Sequence, residues 1–232
     1  MKRQDLKIRS AEGPQFDCYL VTPETKSKVP AIVLASAIHG VDKDLRSIAD
    51  EFASHGYIAA APDLFWRTTP GPLTREDPRS APRGQPRLEK IKTGEQDLKD
   101  ALALVRKQTS FNGKAAVIGF CYGGPFAVLG PKRLGYDAGI SCHGTQMMDY
   151  IGELDGVRQP VCVIWGEKDH LAPPPVIDAY RELAKRMKNL ELHVFPGVEH
   201  GYMMKDAKAY DAKSYQFSMQ RALAIMEGLR HG

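Results

Sequence analysis

The sequence predicts an α/β protein with a mostly parallel central sheet, helices on both faces and an antiparallel hairpin at the N-terminus. Three observations carry this. Short, continuous apolar runs such as Ala31-Ile32-Val33-Leu34-Ala35 recur along the chain, as expected of strands covered on both faces. Segments with apolar residues at helical spacing alternate with them, which implies helices packed on both sides of a parallel sheet. The chain has 232 residues, 43% hydrophobic and 26% charged, and no repeats, which suits one domain over 1–232.

The elements follow in order. Leu6-Lys7-Ile8-Arg9-Ser10 and Phe16-Asp17-Cys18-Tyr19-Leu20-Val21 alternate with period two around a Glu-Gly-Pro turn, the pattern of a hairpin with one solvated face. Ala31–Ala35 is the first buried strand. Residues 43–55 place Leu45, Ile48, Ala49, Phe52 and Ala53 at helical spacing. Tyr57-Ile58-Ala59-Ala60-Ala61 is a second buried strand, ended by Pro62-Asp63. Residues 68–88 are rich in proline and arginine and lack periodicity, so they read as a long loop or lid. A helix with Leu98, Ala101, Leu102 and Val105 on one face follows. Next come the strand Ala115–Phe120 and a helix from Pro125. Further strands are expected at Gly139–Cys142, Val161–Trp165 and Leu190–Phe195. Helices are expected at 175–183 and 212–229. Crossovers between parallel strands are right-handed, and reactive groups belong at the carboxyl ends of the strands.

Composition narrows the function classes. The net charge of +4 is mild, and the arginine-rich stretch of Arg67, Arg75, Arg79, Arg83 and Arg87 lacks interleaved stacking aromatics. It therefore reads as a solvated loop and not a nucleic-acid surface, with anion binding by one arginine left open. No apolar run is long enough to span a membrane, and the N-terminus lacks a signal-peptide core, so a cytoplasmic protein is expected. Cys18, Cys121, Cys142 and Cys162 show no C-x-x-C spacing, which argues against a zinc or dithiol site. Cys18 and Cys162 read as small buried hydrophobes.

The chemistry centres on Gly119-Phe120-Cys121-Tyr122-Gly123-Gly124. Strand, glycine-flanked turn and helix form the nucleophile elbow of α/β-hydrolases, with cysteine in the place of serine. Asp169 follows a later strand in Gly166-Glu167-Lys168-Asp169, and His200 follows the last in Gly197-Val198-Glu199-His200-Gly201. Nucleophile, acid, histidine is the chain order of that fold. Sulfur attacks as thiolate, which a helix N-terminus and a nearby base favour. His200 can take the thiol proton and return it to a leaving oxygen, and Asp169 can orient the imidazole. The backbone amides of Tyr122 and Ile38 are the candidate oxyanion donors. Ala37, His39, Trp66, Arg67, His143 and Tyr202 are candidates for lining the substrate pocket. His55 reads as a helix-end residue, His193 as an exposed mid-strand residue, His231 as terminal and His170 as a loop residue near the site. No metal is expected, since no carboxylate–histidine spacing supports one.

These motifs, together with Gly56-Tyr57 leading to Ala61-Pro62-Asp63-Leu64 and Gly197-Val198-Glu199-His200-Gly201-Tyr202, resemble the dienelactone hydrolase family over nearly the whole chain. The resemblance implies an α/β-hydrolase fold and a Cys121-His200-Asp169 triad with oxyanion donors at Ile38 and Tyr122. It also implies hydrolysis of a cyclic enol ester, no cofactor, and a monomer. Two positions depart from the family pattern. Ala37 stands where well-studied members carry a glutamate that gates the thiol. Gly201 stands where they carry a serine that binds the substrate carboxylate, and Met203-Met204 follow where a basic residue is expected; Lys205 or an arginine of 67–87 could substitute.

Sulfur chemistry favours activated esters and lactones. Thiolate leaves more readily than most amines, so an amide intermediate tends to expel sulfur, which weakens a peptidase reading. The alternative of another class is a catalytically silent or redox-sensing binding module that keeps the fold, because a permanently ionised Cys121 is easily oxidised.

Overall fold

The computed structural model describes residues 1–231. An eight-stranded sheet runs through it in the order β1-β2-β4-β3-β5-β6-β7-β8. Strand β1 (Lys2–Arg9) pairs antiparallel with β2 (Gln15–Thr22), which pairs antiparallel with β4 (Ile58–Pro62). The other pairings, among β4, β3 (Val29–Ala35), β5 (Phe111–Phe120), β6 (Ala138–Cys142), β7 (Val161–Gly166) and β8 (Leu190–Phe195), are parallel. The expected fold class holds, including the N-terminal hairpin.

Alternation along the buried strands sorts side chains between two layers. Ile32 and Leu34 of β3 meet one cluster, with Leu45, Ile48 and Phe52 of α1 (Lys43–Ser54) and Met219, Ala222 and Met226 of α5 (Ala212–His231). Ala31, Val33 and Ala35 face the other way, against Ile91, Leu98 and Ala101 of α2 (Arg87–Arg106) and Phe126 and Leu129 of α3 (Phe126–Leu129). A third cluster under α4 (Pro174–Arg186) holds Val163, Trp165, Ile177 and Tyr180. Asp42 caps α1 by accepting from the Leu45 amide at 2.9 Å.

Several sequence expectations change. The 68–88 loop is shorter than read, because α2 already begins at Arg87 and a 3₁₀ turn forms at Pro82–Gly84. The stretch is also not simply solvated: Arg83 and Arg87 are buried. The missing aromatics come from elsewhere in the fold. Arg67 lies over Trp66, Arg83 over Phe65 and Arg87 over Tyr122, each within 4.3 Å of the ring centroid. The helix after Cys121 is broken into a 3₁₀ turn (Cys121–Gly123), α3, and a wider turn (Gly130–Leu134). A 3₁₀ segment at Met147–Leu154 has no counterpart in the sequence reading. His193 is half-buried, not exposed, because α5 sets Phe217 against its ring.

Candidate active site

Parallel pairing brings the strand ends together. Ala35 of β3 lies opposite Gly119 of β5, Phe120 opposite Cys142 of β6, and Gly166 of β7 opposite Phe195 of β8. The residues just beyond these ends are Ala37 and Ile38, Cys121, His143, Asp169 and His200. The sheet therefore gathers side chains that are far apart in sequence at one edge of the fold.

Cys121 sits at φ 48°, in the left-handed region, at a cost of about 1–3 kcal/mol for a residue with a Cβ. Tight packing holds the turn there. A Cβ on Gly123 would come within 2.3 Å of the Ala35 carbonyl oxygen, and one on Gly119 within 2.0 Å of the Gly123 oxygen. Only glycine allows the elbow to press this closely on β3 and β5. The Cys121 carbonyl accepts from the Gly124 amide at 3.0 Å, the Thr145 amide at 3.0 Å and the Thr145 hydroxyl at 3.2 Å.

His200 meets Asp169 through Nδ1, at 2.8 Å from Oδ2 and 3.0 Å from Oδ1. Asp169 is buried and also accepts from the Leu171 amide at 2.9 Å. Burial alone would lower the His200 pKa, but hydrogen bonds to Asp169 and Cys121 and the charges of both outweigh it and raise it to about 10. The raised value places Cys121 among the groups that act on the imidazole. His143 packs edge-on against His200 with ring centroids 4.9 Å apart. It is buried at φ 43° with neither ring nitrogen paired, and burial, then the charge of His200, pushes its pKa well down. His170 is exposed with its ring 6.0 Å from that of His200.

The other candidates fall in varied places. Ile38 and Tyr122 converge on Gly84, whose added Cβ would lie 3.2 Å from Tyr122 Cδ2 and 3.4 Å from Ile38 Cγ2. Ala37 is buried beside them. His39 is half-buried with Nδ1 unpaired, and burial followed by the charges of Arg75 and Arg83 lowers its pKa. Arg67 directs all its donor nitrogens to Asp97 and Glu12, and Trp66 Nε1 donates to Asp97 at 3.0 Å while its ring stacks on Phe16. Tyr202 does not line a pocket: it is 0% exposed, with its hydroxyl 2.9 Å from Ser218 Oγ, because the chain after His200 turns back into the core. Met203 and Met204 are buried with it, and Lys205 lies over Tyr215 of α5.

Two residues were missed as parts of the site, Arg87 and Thr145. Arg87 Nη2 donates to the carbonyls of Tyr122 at 2.7 Å and Thr145 at 3.2 Å. A signal for its burial was present, since Arg87, Ile91, Gly94, Leu98 and Ala101 recur at helical spacing and all are buried. Elsewhere, Cys162, Glu191 and His193 offer three donor atoms within 4.8 Å of one another, but Arg221 already grips both Glu191 oxygens. A cavity of about 940 Å³ lies between Ile151–Arg158 and α4 and is lined by none of Cys121, His143, Asp169 and His200.

Known proteins resemble the chain over nearly its whole length. The family model for the dienelactone hydrolase family matches residues 16–229. A carboxymethylenebutenolidase of Pseudomonas putida is 26% identical over 233 residues, covering 99% of this chain and 98% of its own. Another, from a Pseudomonas species, is 32% identical over 233 residues, covering 99% and 97%. A Klebsiella pneumoniae subsp. pneumoniae structure assigned as a dienelactone hydrolase superposes with a TM-score of 0.83 at 20% identity, over 97% of this chain and 98% of that one. A dienelactone hydrolase-like promiscuous phosphotriesterase from metagenomic libraries gives 0.81 at 19% identity, over 99% of each chain. With the family model spanning every parallel strand, the chain belongs to the dienelactone hydrolase family and is an ester hydrolase of that type.

Proposed function

We propose that this protein hydrolyses an activated carboxylic ester or lactone, such as a dienelactone-like enol ester, through Cys121, His200 and Asp169 and a thioester acyl-enzyme. The observation that carries the reading is the Asp169–His200 pair at 2.8 Å, with the imidazole pKa raised by Asp169 and by a cysteine held on a strained turn. With its pKa raised to about 10, His200 is protonated across the neutral range, which suits a thiolate partner. The thiolate attacks the acyl carbon, and the carbonyl electrons move to oxygen beside the Ile38 and Tyr122 amides. Collapse forms the thioester and breaks the bond to the ester oxygen, which takes the proton from His200. Neutral imidazole then removes a proton from water as water attacks the thioester. The second collapse expels thiolate and leaves the carboxylic acid, so one water is consumed per ester.

Ala37 removes the gating glutamate of better-known relatives, so in this reading the thiol–imidazole pair needs no separate carboxylate to trigger it. The test is turnover of an aryl ester and of a cis/trans dienelactone pair. Cys121→Ala and His200→Ala are each expected to abolish saturable hydrolysis. Retained turnover in either variant would overturn the reading.

A further inference from the structure

Of the five arginines in the 67–87 stretch, four have a carboxylate close by. Arg67 reaches Asp97 and Glu12, Arg75 reaches Asp44, Arg79 reaches Asp77, and Arg83 lies 3.8 Å from Asp63. Arg87 differs. Among the described residues it makes no ion pair, although it is only 9% exposed. Its guanidinium rests 4.3 Å from the Tyr122 ring centroid and is held by two main-chain carbonyls, and its Nε is buried without a partner. A buried charge without an ion-pair partner is costly, and burial indeed lowers the pKa of this guanidinium. Folds retain such a group where an opposite charge arrives later.

The place where negative charge arrives is adjacent. The carbonyls that grip Arg87 belong to Tyr122, next to the nucleophile, and to Thr145, whose amide and hydroxyl both donate to the Cys121 carbonyl. That carbonyl shares its peptide with the Tyr122 N–H. Three donors on the oxygen end of a peptide fix its plane and strengthen the N–H at the other end. Arg87 thus sits behind the peptide that carries both the thiol and the oxyanion donor.

We propose that Arg87 is a positioning residue. Its fixed positive charge favours the anionic states of this site, the Cys121 thiolate and the oxyanion at the Tyr122 amide, and its bonds to the Tyr122 and Thr145 carbonyls steady the turn that carries them. The inference rests on Cys121 being the nucleophile. The groups that face Arg87 are Tyr122 on the elbow and Tyr150 and Asp149 on the 147–154 segment, besides Cys121 itself. Cys121 is faced by His200, which carries Asp169 and His143 against it.

The test compares Arg87→Gln, which keeps a donor and removes the charge, with Arg87→Lys, which keeps the charge. The readouts are the pH profile of Cys121 alkylation by iodoacetamide, followed by intact mass with Cys121→Ala as blank, and kcat and KM for an aryl ester. Arg87→Gln is expected to raise the alkylation midpoint by about one pH unit, and so to slow alkylation on its acid side roughly tenfold. Its kcat is expected to fall about tenfold or more with KM little changed, as for loss of a transition-state interaction. Arg87→Lys is expected to stay near the parent profile. An unshifted profile in Arg87→Gln, or equal shifts in Gln and Lys, overturns the proposal. Arg87→Met gives the same neutral comparison if the Gln variant does not fold. A fold that accepts Lys and neither neutral residue also overturns it, because the charge is then balanced in the resting protein. Failure of the underlying reading looks different, since Cys121→Ala would then still hydrolyse the ester.

Discussion

At the scale of single residues, the site is a chain of dependences that starts at Asp169. Its buried carboxylate lies 2.8 Å from His200 Nδ1 and helps to raise the pKa of the imidazole. Asp169→Asn keeps the shape and removes the charge. It is expected to lower kcat about 10²-fold or more and to lower the His200 pKa from its raised value, read by steady-state kinetics and by titration of the imidazole NMR signals. Gly123 carries a different load. An alanine there would place its Cβ 2.3 Å from the Ala35 oxygen, so Gly123→Ala is expected to destabilise the protein by about 1–3 kcal/mol in urea unfolding and to disturb the elbow. The motif Gly119–Gly124 was legible because only a few residue types fit such a turn. The partners of its carbonyl, Gly124 apart, were not, because Thr145 reaches it across the sheet edge.

At the scale of elements, α2 is the clearest lesson. Its buried stripe runs from Arg87 through Ile91 and Leu98 to Val105, but the proline-rich lead-in and the charge at Arg87 mask its first turns. Arginine at a buried helical position is read as solvent-facing unless its acceptors are known, and here they are main-chain carbonyls of the elbow and of the turn after β6. The same helix holds Asp97, 0% exposed, which gathers Trp66 Nε1 and two nitrogens of Arg67. Replacing that carboxylate leaves the half-buried guanidinium with Glu12 alone. Asp97→Ala is therefore expected to cost about 3 kcal/mol of stability, measured by urea unfolding, with the loss reduced in the Asp97→Ala, Arg67→Met double variant.

At the scale of the whole molecule, the sheet order decides both stability and site. The C-terminal helix α5 closes over the parallel strands and is tied down at its end by Glu227, which accepts from Tyr57 at 2.8 Å and pairs with Arg230 and His231. Those hydrogen bonds, that from Tyr57 foremost, lower the Glu227 pKa to about 2 from the ordinary 4.5 of a glutamate. A carboxylate depressed in the folded state contributes stability above its unfolded pKa and loses it as pH falls through the folded one. The urea midpoint is thus expected to drop between about pH 4.5 and 2 more steeply in the parent than in Glu227→Gln. Because the group is exposed, the effect is modest. By itself the sequence determined the fold class, the family and the order of Cys121, Asp169 and His200. Apolar periodicity and glycine-dependent turns are local properties, and each strand announces its own end. Only the tertiary structure decided what surrounds those residues. It put Tyr202 in the core, set four of the five arginines of 67–87 beside carboxylates, and left Arg87 without an ion pair among the described residues, next to the Cys121 turn, since side chains from separate crossovers meet only once the strands are aligned side by side.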